Sequence, residues 1–270
     1  MKKDIRVIII DDDPYARDLM ALLLTRDWRT RVVGEFDNEQ TLEQFTASAN
    51  EAVDVAVLDT DISWSPSWHN RIRAALQTLE KRPRILYTGT RLEASVLREA
   101  AVAPEFGGYA LKCEILYGLA AGIGIVAEGG CVVTPGVQRM AQEDRVQLPE
   151  NTRVLDGTKG LAAFTQRESE IVRLGILFNL AQRDVADELV LSPEWVSEVV
   201  STAYAKLGLR EILSGEVPLE SYFDDPAILA RWRSVIGPEG EGNGNSGGRK
   251  TPWMATLAYH ILTMPQVTEI

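Results

Sequence analysis

The chain has 270 residues, 45% of them hydrophobic and 25% charged, with a formal net charge of −11. That length suits two modest domains that each bury a core, and that charge argues against a generally basic protein that coats nucleic acid. Two cysteines, Cys113 and Cys131, and two histidines, His69 and His260, provide neither a disulfide framework nor metal-ligand spacing.

The first half alternates between two periods. "IRVIII" is a short apolar run closed by Asp11, Asp12 and Asp13, which predicts a buried strand and stops well short of a signal-peptide core. "PYARDLMALLLTR" opens on Pro14 and repeats apolar residues at helical spacing. "RVVGEF", "VDVAVLD", "RPRILYTG" and "FGGYALK" predict four more strands, with helices between them in "DNEQTLEQFTASAN", "PSWHNRIRAALQTLEK" and "RLEASVLREAA". A fifth helix runs from Glu114 to Glu128; its apolar run, Ile115 to Ala127, is too short to span a bilayer, and a cytoplasmic protein is expected. Five strand-helix pairs predict a doubly wound parallel sheet of the α/β class, with its sites at the carboxyl ends of the strands.

Those ends carry Asp11, Asp12 and Asp13 on the first strand, Asp59 on the third, Thr88 on the fourth and Lys112 on the fifth. Clustered carboxylates repel unless a hard cation joins them, and Mg²⁺ with oxygen ligands is the natural choice. Asp59 could then attack a phosphoryl group, with Thr88 and Lys112 meeting the phosphoryl oxygens.

With "IIIDDDP", "VDVAVLD", "ILYTG" and "GGYALK", residues 4 to 128 resemble the receiver domains of two-component response regulators. The resemblance implies Asp11 and Asp12 as metal-binding acids that share the ion with Asp59. It implies Asp59 as the phospho-acceptor, with a histidine kinase or small molecule as phosphodonor. Thr88 becomes the switch hydroxyl, Tyr109 the aromatic that moves with it, and Lys112 the phosphoryl partner. One departure is visible: receivers usually follow the acceptor with a Met-Pro pair and a glycine, whereas "TDISWSPSWHN" stands here, with Asp61, Trp64 and Trp68 crowding the loop. "LDTDIS" also fits the Asp-x-Asp motif of haloacid-dehalogenase-type phosphatases, but that motif closes the first strand of its sheet and this one closes the third. No enzyme is expected.

Beyond the receiver, residues 1–130, a polar stretch with Pro149 and two glycines has no helical period, and residues 131–163 read as a linker. Residues 164–212 resemble the helix-turn-helix domain of LuxR/NarL-type regulators. "FTQRESEIVRL" supplies the opening with a capping box at Thr165 and Glu168, "RDVADELVLSPEWVSEVV" the helix, turn and recognition helix, and "AYAKLGL" the closing signature. The apolar frame fits, with an apparent one-residue insertion around "LGILFNLAQ". The outward residues fit poorly: Ser197, Glu198 and Val199 stand where the family places basic and amide side chains, and Trp195 suits a protein contact. Arg183, Lys206 and Arg210 are the candidate phosphate anchors. The expected function is transcriptional control through DNA; its rival is a pseudo-receiver that keeps the pocket residues without being phosphorylated and whose helix-turn-helix docks on a protein such as the transcription machinery and not on DNA.

Two stretches predict protein contacts. The fifth receiver helix has no charge between its terminal glutamates, and Gly118 and Gly122 would admit another backbone, which predicts a homodimer through this helix unless the chain's own tail covers it. Residues 213–270 form that extension, with a Gly-rich linker at 237–248. Met254, Leu257, Ala258, Ile261 and Leu262 on one face of its last helix require burial.

Overall fold

The computed structural model describes residues 5–48, 52–62, 68–157, 164–213 and 252–270, with residues 216, 218, 221 and 229 besides. It divides the chain into two units, Met1–Lys159 with Met264–Ile270, and Gly160–Thr263.

In the first unit, β1 (Ile5–Ile10), β2 (Thr30–Phe36), β3 (Val55–Asp59), β4 (Arg84–Gly89) and β5 (Phe106–Leu111) run parallel in the order β2-β1-β3-β4-β5. α1 (Pro14–Arg26), α2 (Glu39–Ser48), α3 (Trp68–Gln77) and α4 (Ala94–Ala101) connect them. Both faces of the sheet are covered, which is why β1, β3 and β4 read as near-continuous apolar runs. Val7, Ile9, Val55, Val57, Leu86 and Ala110 enter one core; Ile8, Ile10, Ala56, Leu58, Ile85, Tyr87 and Tyr109 enter the other.

The sheet does not stop at the five expected strands. Residues 131–163, expected to be a linker, carry β6 (Cys131–Val133), α7 (Pro135–Glu143) and β7 (Thr152–Asp156), and β8 (Gln266–Glu269) returns from the end of the chain to make eight strands. β6 and β7 extend the sheet in parallel, and β8 pairs antiparallel with β7. Gly108 makes the join possible: it adopts φ +141, and a Cβ there would run into the Val132 backbone.

The fifth helix is broken into α5 (Lys112–Ile115), a 3₁₀ turn and α6 (Leu119–Ala127). The glycines expected to admit a second subunit face the chain itself. A Cβ on Gly118 would lie 3.1 Å from Pro265 Cβ and one on Gly122 would lie 3.1 Å from Leu155 Cδ1, so β7 and the residues before β8 cover that face. Leu119, Ala120, Ile123 and Val126 are buried, and the homodimer seam expected at the two glycines is occupied from within.

In the second unit, α8 (Gln166–Val172), α9 (Gln182–Leu189), α10 (Pro193–Lys206) and α11 (Leu209–Leu213) bury Ile171, Leu177, Val185, Val196, Val200, Ala203, Leu207 and Leu209. Arg173–Leu177 forms a π-helical turn closed by the Phe178 N–H donating to Arg173 O at 2.9 Å; the inserted residue is absorbed there. α12 (Pro252–Thr263) packs on this turn and on α11, and buries Leu257, Ala258, Tyr259 and Leu262, much as its apolar face required. The Gly-rich linker 237–248 lies outside the described residues. Among the described residues, no helix is long and apolar enough to cross a membrane.

Candidate functional site

Strand alternation sends every second side chain to the same face of the sheet. Val7, Ile9 and then Asp11 leave β1 towards the face covered by α1 and α6, as do Val57 then Asp59 on β3, and Leu86 then Thr88 on β4. Asp59 and Thr88 are Cα partners across β3 and β4, and Lys112 follows two residues after Ala110. The structure therefore brings together Asp11, Asp12, Asp59, Thr88 and Lys112 at one edge.

Lys112 Nζ lies 2.8 Å from Asp11 Oδ2 and 3.0 Å from Asp59 Oδ1. Burial raises the pKa of Asp59 to about 6, and the neighbouring Asp11 charge adds to this against the pull of Lys112. Burial likewise raises Asp11. Burial opposes the charge on Lys112, but the hydrogen bond to Asp11 and the charge of Asp59 outweigh it and raise the ammonium's pKa. One ammonium thus serves two buried carboxylates, with a third beside them.

Each of Asp11, Asp12 and Asp59 can offer an oxygen, all three within 4.8 Å of one another. Hard oxygen donors with excess negative charge suit Mg²⁺. Thr88 Oγ1 is buried and makes no hydrogen bond with a described residue. Asp13, the third aspartate, plays another part: its carboxylate caps α1 by accepting the Tyr15 N–H at 2.9 Å.

Tyr109 lies apart from this group. It is fully buried on the opposite face of the sheet, stacked on Tyr87 at 6.3 Å between ring centroids. Its hydroxyl meets Thr60 Oγ1 at 2.8 Å and the Arg91 carbonyl at 3.2 Å. Burial raises the pKa of the phenol. Thr60 is the residue that sequence reasoning passed over; its signal was a hydroxyl directly after Asp59, where "TDISWSPSWHN" departs from the receiver pattern. Asp61 Oδ2 accepts the N–H and the hydroxyl of Thr90, at 2.6 and 2.7 Å. Trp68 is buried in the core, and Trp64 lies outside the described residues.

On the helical unit, Ser192 caps α10 by accepting the Trp195 N–H at 3.2 Å, and Pro193 occupies the first turn. Trp195 and Glu198 are exposed and Ser197 is half-buried, while Val199 points into the core. Arg183 and Arg210 are exposed. Lys206 is committed elsewhere: its ammonium lies 2.8 and 2.9 Å from the two Glu168 oxygens and holds that carboxyl down at about 2. Glu168 also completes the capping box with Thr165, so the lysine expected as a phosphate anchor fastens α10 to α8.

No family model matches the chain. The Fimbriae Z protein of Salmonella typhimurium is 21% identical over 211 residues, covering 78% of this chain and 94% of that protein, and the Fimbriae Z protein of Escherichia coli K12 gives the same figures. Among solved structures, the response regulator ChrA of a heme-sensing two-component system is 25% identical, covering 76% of this chain and 90% of its own, with a TM-score of 0.39. Two RcsB dimers bound to DNA give 19% identity over 86% of this chain and 100% of theirs, with a TM-score of 0.45. A LuxR-family response regulator from Aurantimonas sp. SI85-9A1 gives 21%, 54%, 100% and 0.46 in the same terms. These solved neighbours are two-component response regulators.

Proposed function

We propose that the chain is a response-regulator-like transcriptional regulator of the LuxR/NarL type, which accepts a phosphoryl group on Asp59 and acts through its helix-turn-helix unit. The convergence of Asp11, Asp12, Asp59, Thr88 and Lys112 in one pocket carries the reading. Asp11, Asp12 and Asp59 would hold Mg²⁺, whose charge would relieve the carboxylate repulsion and draw in a phosphoryl group. An oxygen of ionised Asp59 attacks phosphorus as the donor's bond to phosphorus breaks, and the donor leaves with that electron pair. Lys112 neutralises one phosphoryl oxygen, and the Thr88 hydroxyl, buried and without a partner among described residues, donates to another. A histidine kinase or a small phosphodonor such as acetyl phosphate fits this chemistry. With Mg²⁺ and labelled acetyl phosphate, the protein takes up acid-labile phosphate and Asp59→Asn takes up none; label that persists in the variant would refute the assignment.

The phosphatase alternative loses ground at Asp61, whose Oδ2 is occupied by Thr90. The helical unit keeps the helix-turn-helix frame of a DNA reader, with Arg183 and Arg210 as phosphate contacts and Ser197 and Glu198 towards the bases. A second reading, docking on a protein of the transcription machinery, is favoured by Lys206 being engaged by Glu168 and by exposed Trp195 beside Glu194 and Glu198. DNA binding measured across salt separates the two. A steep decline with salt supports DNA, and no binding even at low salt supports the protein partner.

A further inference from the structure

Thr60 follows the acceptor, and strand alternation turns its side chain away from Asp59 to the opposite face of the sheet, where Tyr87 and Tyr109 lie. Its N–H donates to the Thr88 carbonyl at 2.7 Å, and its hydroxyl donates to the same oxygen at 3.0 Å. With its proton so placed, Thr60 Oγ1 accepts the Tyr109 O–H at 2.8 Å; the Arg91 carbonyl is the second acceptor at 3.2 Å. Gly89 lies beneath, and a Cβ there would collide with Thr60 Oγ1. Next in sequence, Asp61 holds Thr90 by two hydrogen bonds. The loop after β3 is thereby stitched to the loop after β4, with Tyr109 sealed between them and no bond from its hydroxyl to the side chain of Thr88.

We infer that Thr60 is a positioning residue whose hydroxyl fixes Tyr109 in its buried position whatever the state of Asp59. The physical basis is that a buried phenol needs a partner for its hydroxyl, and Thr60 supplies one that the pocket does not control. The inference builds on the phospho-acceptor reading only in what Tyr109 would otherwise report. A valine at position 60 would set a methyl where the hydroxyl stands, 2.8 Å from the phenol oxygen, too close for carbon and oxygen and unable to bond. Loss of that bond, with the Arg91 carbonyl left as acceptor, raises the exposed fraction of Tyr109 by about twofold to tenfold.

The test uses the full chain with 3-fluorotyrosine placed at position 109, read by fluorine NMR for its H₂O/D₂O solvent shift. Without phosphodonor the wild type gives a buried signal, and Mg²⁺ with beryllofluoride leaves it in place. Thr60→Val shifts the signal towards the exposed value and Thr60→Ser restores the buried one, which a general loss of packing would not do. Should the valine variant fail to fold, Thr60→Ala, which adds no bulk, is read in its place. A valine or alanine variant as buried as the wild type overturns the inference, as does a wild-type tyrosine that becomes buried only with beryllofluoride. Uptake of label at Asp59, measured separately, judges the phospho-acceptor reading and does not bear on the signal recorded without donor.

Discussion

Replacing Asp59 with asparagine is expected to stabilise the metal-free protein. In the folded chain burial and Asp11 hold the Asp59 pKa near 6, against 3.8 for the free side chain. The folded state therefore binds this proton more tightly than the unfolded chain does, and wild-type stability falls as pH rises from about 4 through about 6, then levels. At about 1.4 kcal/mol per pH unit, the full displacement corresponds to roughly 3 kcal/mol at pH 8. An asparagine amide beside Lys112 returns part of that by leaving a donor poorly placed, so a net gain of about 1–2 kcal/mol is expected, or roughly 2–8 °C in melting temperature. Thermal melts in EDTA at pH 8 should show the variant above the wild type, and at pH 4.5 the gap should shrink sharply because wild-type Asp59 is then mostly protonated. Mg²⁺ at pH 8 should raise the wild type towards the variant. A variant equal to or below the wild type at pH 8, or a gain undiminished at pH 4.5, would refute the reasoning.

Two further substitutions probe the added strands. Gly108→Ala should destabilise the first unit by more than about 2 kcal/mol in urea denaturation, because its Cβ meets the Val132 backbone at a φ that alanine rarely adopts. Gly122→Arg should lower the melting temperature of that unit and leave a folded fraction with unchanged sedimentation, since the side chain would enter the space of Leu155 within the same chain; release of a stable monomer from a dimer would place the seam back at this helix.

The candidate pocket was legible because Asp11, Asp59 and Thr88 lie at the carboxyl ends of apolar strands, where alternation turns all three to one face. β6 and β7 were not, for an equally local reason. "CVV" is three residues long, "TRVLD" carries a charge at each exposed position, and the segment between them is polar. What makes them strands is the edge of β5 beside them, opened by Gly108, and no window of sequence contains that edge. The glycines of the fifth helix mark a place where other backbone approaches, and of the two occupants the sequence allows, the chain's own tail stands against Gly118 at Pro265, with Leu155 against Gly122. The Lys206–Glu168 pair was hidden for another reason: Glu168 was visible as a cap residue, yet the two lie 38 residues apart, so their pairing waits on the packing of α8 against α10. The inserted residue near Gly175 was visible as a misfit and became a π-helical turn.

Asp11 and Asp59 stand among the most buried residues of the sheet, and between them they have one ammonium. Apolar side chains at both positions would continue the runs of β1 and β3 with no desolvation penalty, which for buried carboxylates amounts to several kcal/mol. Lys112 cannot offset it for both, since Asp59 remains displaced upwards despite that contact. The fold thus carries a local destabilisation that its own packing does not require, at the carboxyl edge where open parallel sheets bind ligands. A cation held by Asp11, Asp12 and Asp59 would offset that cost and favour the ionised form of Asp59. This electrostatic imbalance supports a working acceptor over a relic whose aspartates merely persist, and the pH-dependent melts of Asp59→Asn measure its size directly.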